Sequence, residues 1–336
     1  MDIIKRTKAF LQLGNRLKNI DQEILHEVND RASYKNPWFT HDNVTLSFNG
    51  LINYLDEKKI GAWVDKYDFS QVSSKKIGVV MAGNIPMVGL HDMICILISG
   101  HRLIAKLSSQ DDVLIPYIAD QLIKIEPEFK DAIEFVDQLK GMEAVIATGS
   151  DNTSRYFNYY FSKYPNIIRK NRTSIAILNG EENATELKNL GQDIYSYFGL
   201  GCRNVSKIYL PQGYNIKELI DHLEGFKEVI HHNKYGNNYF YQRSIFLLNQ
   251  TPHLDNGFTL FQQNENLASP ISVLYYDYYS DVKSLNEQLL PFQDKIQCVV
   301  TNMEEIENRI EIGKAQMPEI SDYADSIDTM DFLTNI

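Results

Sequence analysis

A cysteine set among glycines is the residue with the most chemistry to offer in this chain. Cys202 lies in Phe198-Gly199-Leu200-Gly201-Cys202-Arg203-Asn204-Val205-Ser206, between an amphipathic helical pattern and an apolar strand pattern. Two glycines permit a tight backbone turn, which predicts a thiol on a loop rather than in a core. A thiolate attacks a carbonyl or thioester and leaves again, so Cys202 is a candidate nucleophile for acyl transfer. The plain alternative is a small buried hydrophobe. Cys95 and Cys298 read in that second way, since both sit inside apolar runs, and the wide spacing of the three fits neither a disulfide framework nor a zinc site.

Three strand ends supply the remaining candidates. The apolar run 77–81 passes into Ala82-Gly83-Asn84-Ile85-Pro86, and ligands of open α/β sheets bind at carboxyl ends of strands, so Asn84 is expected to face a cleft. Pro86 is expected in the first turn of the following helix, where its missing N–H costs nothing. A second strand closes on Lys106-Leu107-Ser108-Ser109, and a lysine there reaches a ribose or phosphate. A third runs into Thr148-Gly149-Ser150-Asp151, a helix start suited to an anion. Gly83 and Asn84 serve equally well as turn residues, Lys106 as a solvated side chain, and Ser150 as an N-cap. No G-x-G-x-x-G, Walker-type or G-x-S-x-G sequence is present, and His231-His232 has no third ligand at metal spacing.

These residues are carried by alternating elements. After a helical lead-in of about seventy residues, strands are predicted at 76–81, 102–107, 132–136 and 143–147, with helices at 87–99, 112–124 and 151–162. A second set follows, with strands near 174–178, 206–210, 244–248, 271–276 and 296–300, and helices near 184–198, 215–223 and 280–288. Such alternation marks parallel sheets covered by helices. The aromatic run Tyr156, Phe157, Tyr159, Tyr160 and Phe161 puts rings on every side of one helix, which suggests packing between layers rather than a lipid tunnel. The tail 313–336 is acidic but holds Tyr323, Met330, Phe332 and Leu333, and is expected to dock. The 336 residues and 43% hydrophobic content allow a large core, and a net charge of -11 argues against nucleic acid. With no signal-peptide pattern and no apolar stretch of membrane-spanning length, stable membrane insertion is not expected and a cytoplasmic location is.

In order, Gly83-Asn84-Ile85-Pro86, Ala105-Lys106-Leu107-Ser108, Ala147-Thr148-Gly149-Ser150, Gly201-Cys202 and Ser269-Pro270-Ile271 resemble the successive landmarks of the aldehyde dehydrogenase superfamily. Within it the chain looks most like the acyl-CoA reductase branch typified by the fatty acid reductase of bacterial luminescence, and the tail 313–330 is similar to that of short members of that branch. The resemblance implies an α/β fold of two interlocked domains. These are expected at 1–172, with the helical lead-in and an NAD(P)-binding domain, and at 173–310, with the nucleophile, while 311–336 returns near the cleft. It also implies roles: Cys202 as nucleophile, Asn84 as the amide sharing an oxyanion hole with the Cys202 N–H, Lys106 beside the adenosine ribose, and Gly149 with Ser150 beside the cofactor phosphates.

Two departures from the family pattern bear on the reaction. Hydrolytic members carry a water-activating glutamate just before the strand that here reads Ser174-Ile175-Ala176-Ile177-Leu178, where this chain has Arg169-Lys170-Asn171-Arg172. Without that base, transfer to or from a thiol carrier such as coenzyme A is favoured over hydrolysis, and the basic residues suit an anionic CoA phosphate. The glutamate that holds the nicotinamide ribose falls on Asn266, with Glu265 beside it. The expected activity is therefore reduction of an acyl-CoA to an aldehyde with NADPH, or NADH, through an acyl-Cys202 intermediate. Arg203 is the nearest cation to lower the thiol pKa. Acyl-phosphate reduction, aldehyde oxidation and a non-catalytic assembly subunit are the alternatives, and a homodimer is the family expectation.

Overall fold

The computed structural model describes residues 1–336, the side chain of Asp151 apart. The chain divides into two compact units, Met1–Asn171 with Pro318–Ile336, and Arg172–Met317. The first opens with four helices, α1 (Ile3–Lys18), α2 (Gln22–Lys35), α3 (His41–Tyr54) and α4 (Glu57–Val64). Each is started by a side chain that accepts a backbone N–H of its first turn: Asp2, Asp21, Thr40 and Asp56. Their inward stripes, with Phe10 and Leu13 on α1, Phe48 on α3 and Trp63 on α4, join a single core with the following elements.

Those elements are β1 (Lys76–Val80), α5 (Leu90–Ser99), β2 (Arg102–Lys106), α6 (Leu114–Ile125), β3 (Ile133–Phe135), β4 (Ala144–Thr148), α7 (Asp151–Phe161) and β5 (Asn166–Arg169). The five strands are parallel in the order β3-β2-β1-β4-β5. From β1 the chain moves outward through β2 to β3, then crosses to the other side for β4 and β5. The order therefore reverses between β1 and β4, which makes the carboxyl edge of these two strands the switch point of the sheet.

The second unit contains β6 (Thr173–Ile177), α8 (Ala184–Tyr195), β7 (Val205–Pro211), α9 (Ile216–His222), α10 (Asn233–Leu248), β8 (Leu254–Asp255), β9 (Leu260–Gln263), β10 (Val273–Tyr279), α11 (Val282–Leu289), β11 (Ile296–Val300) and β12 (Arg309–Ile310). Its sheet runs β12-β11-β6-β7-β10-β9-β8, all parallel except the β8–β9 pair. The last helix, α12 (Thr329–Asn335), belongs to the first unit, where Ile320, Met330 and Leu333 enter the core. The Trp63 Nε1 donates to the Tyr323 hydroxyl at 2.7 Å and the Tyr67 hydroxyl to Asp328 at 2.7 Å, fastening that segment with polar bonds as well. Among the described residues no helix is long and apolar enough to cross a membrane.

Three sequence expectations change. Residues 244–248 are the last turns of α10, not a strand. A short apolar run fits either structure, and here Phe246 points inward while Leu247 and Leu248 lie exposed. Pro86 is not in a helical first turn, because Met87 adopts a left-handed φ of 59° and α5 begins only at Leu90. The aromatic helix α7 is not packed between layers: Tyr156, Tyr159 and Tyr160 are exposed, and only Phe157 and Phe161 pack against Met142, Val145 and Ala147.

Candidate functional site

Unit one brings four of the sequence-selected residues to one sheet edge. Asn84 leaves β1, Lys106 ends β2, and Gly149 with Ser150 follow β4, so they stand on three neighbouring strands. Asn84, Lys106 and Ser150 are exposed there. β2 and β4 flank β1, which separates Lys106 from the start of α7 by about 10 Å at the usual strand spacing. A helix N-terminus at that edge favours negative charge. Ser150 caps α7, its Oγ accepting the Thr153 N–H at 3.3 Å. A Cβ at Gly149 would come within 2.8 Å of the Phe157 ring, so contact with its own helix accounts for that glycine.

The turn that carries Asn84 is braced from three directions. Asn36 Nδ2 donates to the Gly83 carbonyl at 3.3 Å, Ser47 Oγ to the Pro86 carbonyl at 3.1 Å, and the Met87 N–H to Asp111 Oδ2 at 2.7 Å. Gly83 has room for no side chain, since a Cβ would lie 2.6 Å from Ser108 Oγ and 3.2 Å from the Asp111 nitrogen. Asp111 is buried, and burial pushes its carboxyl up to about 7 against the opposing pull of the Met87 N–H. None of these three braces is apparent in the sequence, where Asp111 reads as one residue of a polar turn.

Unit two presents Cys202 as the sequence suggests, exposed and ahead of β7, while Cys95 and Cys298 are buried. The approach is strained: Tyr197, Phe198 and Gly199 all have positive φ, at 51°, 57° and 77°. Asn204, 2% exposed, holds this backbone together. Its Oδ1 accepts the Gly201 N–H at 2.8 Å, and its Nδ2 donates to the Ser196 carbonyl at 2.8 Å and the Asp193 carbonyl at 3.1 Å. From β6, Ser174 Oγ donates to the Cys202 carbonyl at 3.0 Å. The backbone is thus anchored at Gly201 and at the Cys202 carbonyl, while Cys202 remains exposed.

A second buried carboxylate lies behind the loop. Asp193 accepts the Gly313 N–H at 2.6 Å and the Ala315 N–H at 2.9 Å, and Arg203 Nε donates to the Ala315 carbonyl at 2.6 Å. Burial raises Asp193 to about 6, opposed by those N–H groups and by Arg203. Arg203 is therefore engaged with the 313–315 segment. A cavity of about 40 Å³ lined by Phe198, Gly199, Ser206, Thr259 and Ser269 has room for about one water and is too small for an acyl chain.

Glu265 is exposed on the segment that follows β9, and that segment is tied to β7. Ser206 Oγ donates to the Leu267 carbonyl at 2.8 Å, and Lys207 Nζ to the Glu265 carbonyl at 3.1 Å. Lys207 is buried, with Asp277 at 3.8 Å and its ammonium 4.6 Å from the Tyr209 ring centre. Burial lowers its pKa, partly offset by Asp277. A lysine in the middle of an apolar strand was the signal for this tether.

The basic run before β6 is mostly committed to structure. Arg169 is buried, donating from Nη1 to Asp92 at 2.6 Å and from Nη2 to Thr329 at 2.8 Å. Burial would lower its pKa, but the Asp92 carboxylate holds it above the ordinary value. Arg172 Nη1 donates to the Ile296 carbonyl at 3.2 Å, which leaves Lys170 as the exposed cation of the run. Arg169 is thus a core ion pair rather than a surface charge awaiting a phosphate. The segment contains no carboxylate.

These two α/β units with their largely parallel sheets make an aldehyde dehydrogenase-like fold. Among solved structures the chain is similar to aldehyde dehydrogenase 21 from Physcomitrella patens in complex with the reaction product succinate, with a TM-score of 0.71 and 12% identity over 100% of this chain and 84% of that one. It is also similar to an aldehyde dehydrogenase from Bacillus cereus in an NAD+ complex, with a TM-score of 0.65 and 12% identity over 91% of this chain and 73% of that one. An NAD-dependent aldehyde dehydrogenase from Sinorhizobium meliloti matches at a TM-score of 0.64 and 10% identity, over 92% and 72% of the two chains. No protein-family model and no curated protein sequence matches the chain. At these identities the likeness establishes the fold.

Proposed function

We propose that this protein is a nicotinamide-dependent oxidoreductase working between the acyl and aldehyde levels, and that it reduces an acyl-CoA thioester to the aldehyde. The observation that carries the reading is Cys202, exposed on an anchored loop of this fold, combined with a segment before β6 that holds Arg169 and Arg172 but no carboxylate. A thioester on Cys202 then has no neighbouring base from that segment to activate water, so its carbon survives for reduction.

The Cys202 thiolate attacks the thioester carbonyl, and the carbonyl electron pair moves onto oxygen. The Cys202 N–H and the Asn84 carboxamide are the proposed donors to that oxyanion. Collapse expels the CoA thiolate and leaves an acyl-Cys202. NADPH or NADH, if held by Lys106, Gly149, Ser150 and Glu265, would supply the hydride that reduces the acyl carbon. The resulting hemithioacetal oxyanion collapses, releasing the aldehyde and restoring the thiolate. Lys106, Gly149 and Ser150 are proposed to hold the adenosine ribose and diphosphate, and Glu265 the nicotinamide ribose.

The test is NADPH and NADH oxidation with acyl-CoA esters of increasing chain length, run beside Cys202→Ala. Thioester-dependent oxidation by the wild type, lowered at least ~10³-fold in Cys202→Ala with cofactor binding retained, is the expected result. Wild-type turnover in Cys202→Ala would eliminate the covalent mechanism. Reduction of NAD(P)+ by aldehydes without CoA would instead assign oxidation.

A further inference from the structure

In the helical lead-in, α2 and α3 bring two imidazoles onto one carboxylate. His26 and Asp30 are one turn apart on α2, and His41 is the first residue of α3. The His41 Nε2 is 2.9 Å from Asp30 Oδ1 and the His26 Nε2 is 3.6 Å from Asp30 Oδ2. The two rings lie 4.5 Å apart between centroids, tilted by 40°. One donor atom from each of the three residues falls within a 4.8 Å span.

We infer that His26, Asp30 and His41 form a binding site for a divalent transition cation of the zinc class. Two imidazole nitrogens and a carboxylate are a donor set that such ions take, and hard cations such as magnesium do not. Tetrahedral zinc with bonds near 2.1 Å separates its ligand atoms by about 3.4 Å, and one donor atom from each of the three residues already lies within 4.8 Å of the others, so small side-chain rotations suffice to reach that spacing. In the ion-bound form Nε2 of each histidine would coordinate, with the ring proton on Nδ1. Solvent completes the coordination, because His26 and Asp30 are exposed. The bound ion links α2 to α3 and stabilises the helical opening of the chain.

The experiment is a zinc titration of the chelator-stripped full chain against a chromophoric competitor, with cobalt substitution as a spectral check. One ion per chain at a dissociation constant of ~10 μM or tighter is expected, weakened at least tenfold in His26→Ala and in His41→Ala. At hundredfold excess over that constant, zinc should raise the wild-type melting midpoint by ~5 °C and leave the double variant unmoved. The cobalt complex should show d–d bands without a sulfur charge-transfer band. Unchanged affinity in the double variant, no binding, or a sulfur band that disappears in Cys202→Ala would each overturn the site. The readouts are independent of acyl-CoA turnover.

Discussion

The two loops that carry the candidate chemistry are built in different ways. Asn84 is placed by topology: it follows β1 where the strand order reverses, and the side chains that steady its turn come from α3, from the α2–α3 connection and from the turn before α6. Cys202 precedes its strand, and its loop is shaped by three consecutive left-handed residues and by Asn204, its near neighbour in sequence. Strand order delivers the first; local hydrogen bonding and backbone strain deliver the second. The first loop divides its side-chain support among distant residues, whereas the second takes most of its hydrogen bonds from one nearby amide, with Ser174 added from β6.

The contrast is tested most severely at Asn204. Asn204→Ala removes the partner of the Gly201 N–H and the donor to the Ser196 and Asp193 carbonyls in a place water does not reach. The expected loss is about 2–4 kcal/mol of stability, with at least a hundredfold fall in kcat because the thiol is no longer held in position. Melting and single-turnover acylation measure the two effects. By comparison Ser47→Ala removes one of three braces and should lower kcat by less than about tenfold. Equal effects from the two substitutions would erase the distinction between concentrated and divided support.

The buried carboxylates behind the loops differ in their pH windows. An aspartate whose folded pKa is raised by burial binds a proton that the unfolded chain has already released, so stability falls as pH climbs from the unfolded to the folded value. For Asp111 that window runs from about 4 to about 7, and for Asp193 it closes at about 6. Asp111→Asn should abolish its share of the decline, a slope of at most about 1.4 kcal/mol per pH unit. The effect is read as a flatter stability curve between pH 6 and 7, where Asp193 no longer contributes. An unaltered curve would place the titrating group elsewhere. Gly83→Ala attacks the same support sterically, by pressing on Ser108 and the Asp111 backbone.

What the sequence revealed follows the same division. Periodicity located β1, β2, β4, β6 and β7, and therefore the strand ends that present Asn84, Lys106 and Ser150, because apolar runs bounded by turns are local signals. The loop context of Cys202 was equally visible in its glycines. Its anchoring was not, since Ser174 reaches the cysteine carbonyl from another strand. Asp111, Asn36 and Ser47 are ordinary loop or helix residues until the fold brings them to one turn. Arg169 was misleading for a related reason: a basic run reads as solvated surface unless the carboxylate at Asp92 is known to face it. The strand expected at 244–248 failed because four apolar residues carry no period that separates a helix end from a strand.

The mildest test concerns the tether between Lys207 and the Glu265 segment. Lys207 is a support of the second unit that resembles the distant bracing of Asn84, since its ammonium crosses from β7 to a carbonyl beyond β9. A methionine there fills similar volume without charge, so the fold should survive, and the Asp277 carboxylate, 22% exposed, keeps access to water. The Glu265 backbone loses its partner and becomes mobile. If Glu265 contacts the nicotinamide ribose as proposed, Lys207→Met should raise the KM for NADPH several-fold with little change in the acylation rate of Cys202. Lys207→Arg, which keeps a donor, should recover part of that loss. A fall in acylation rate with KM unchanged would mean that the tether serves the cysteine loop through Ser206, and the second unit would then have a single, shared support for both of its candidate residues.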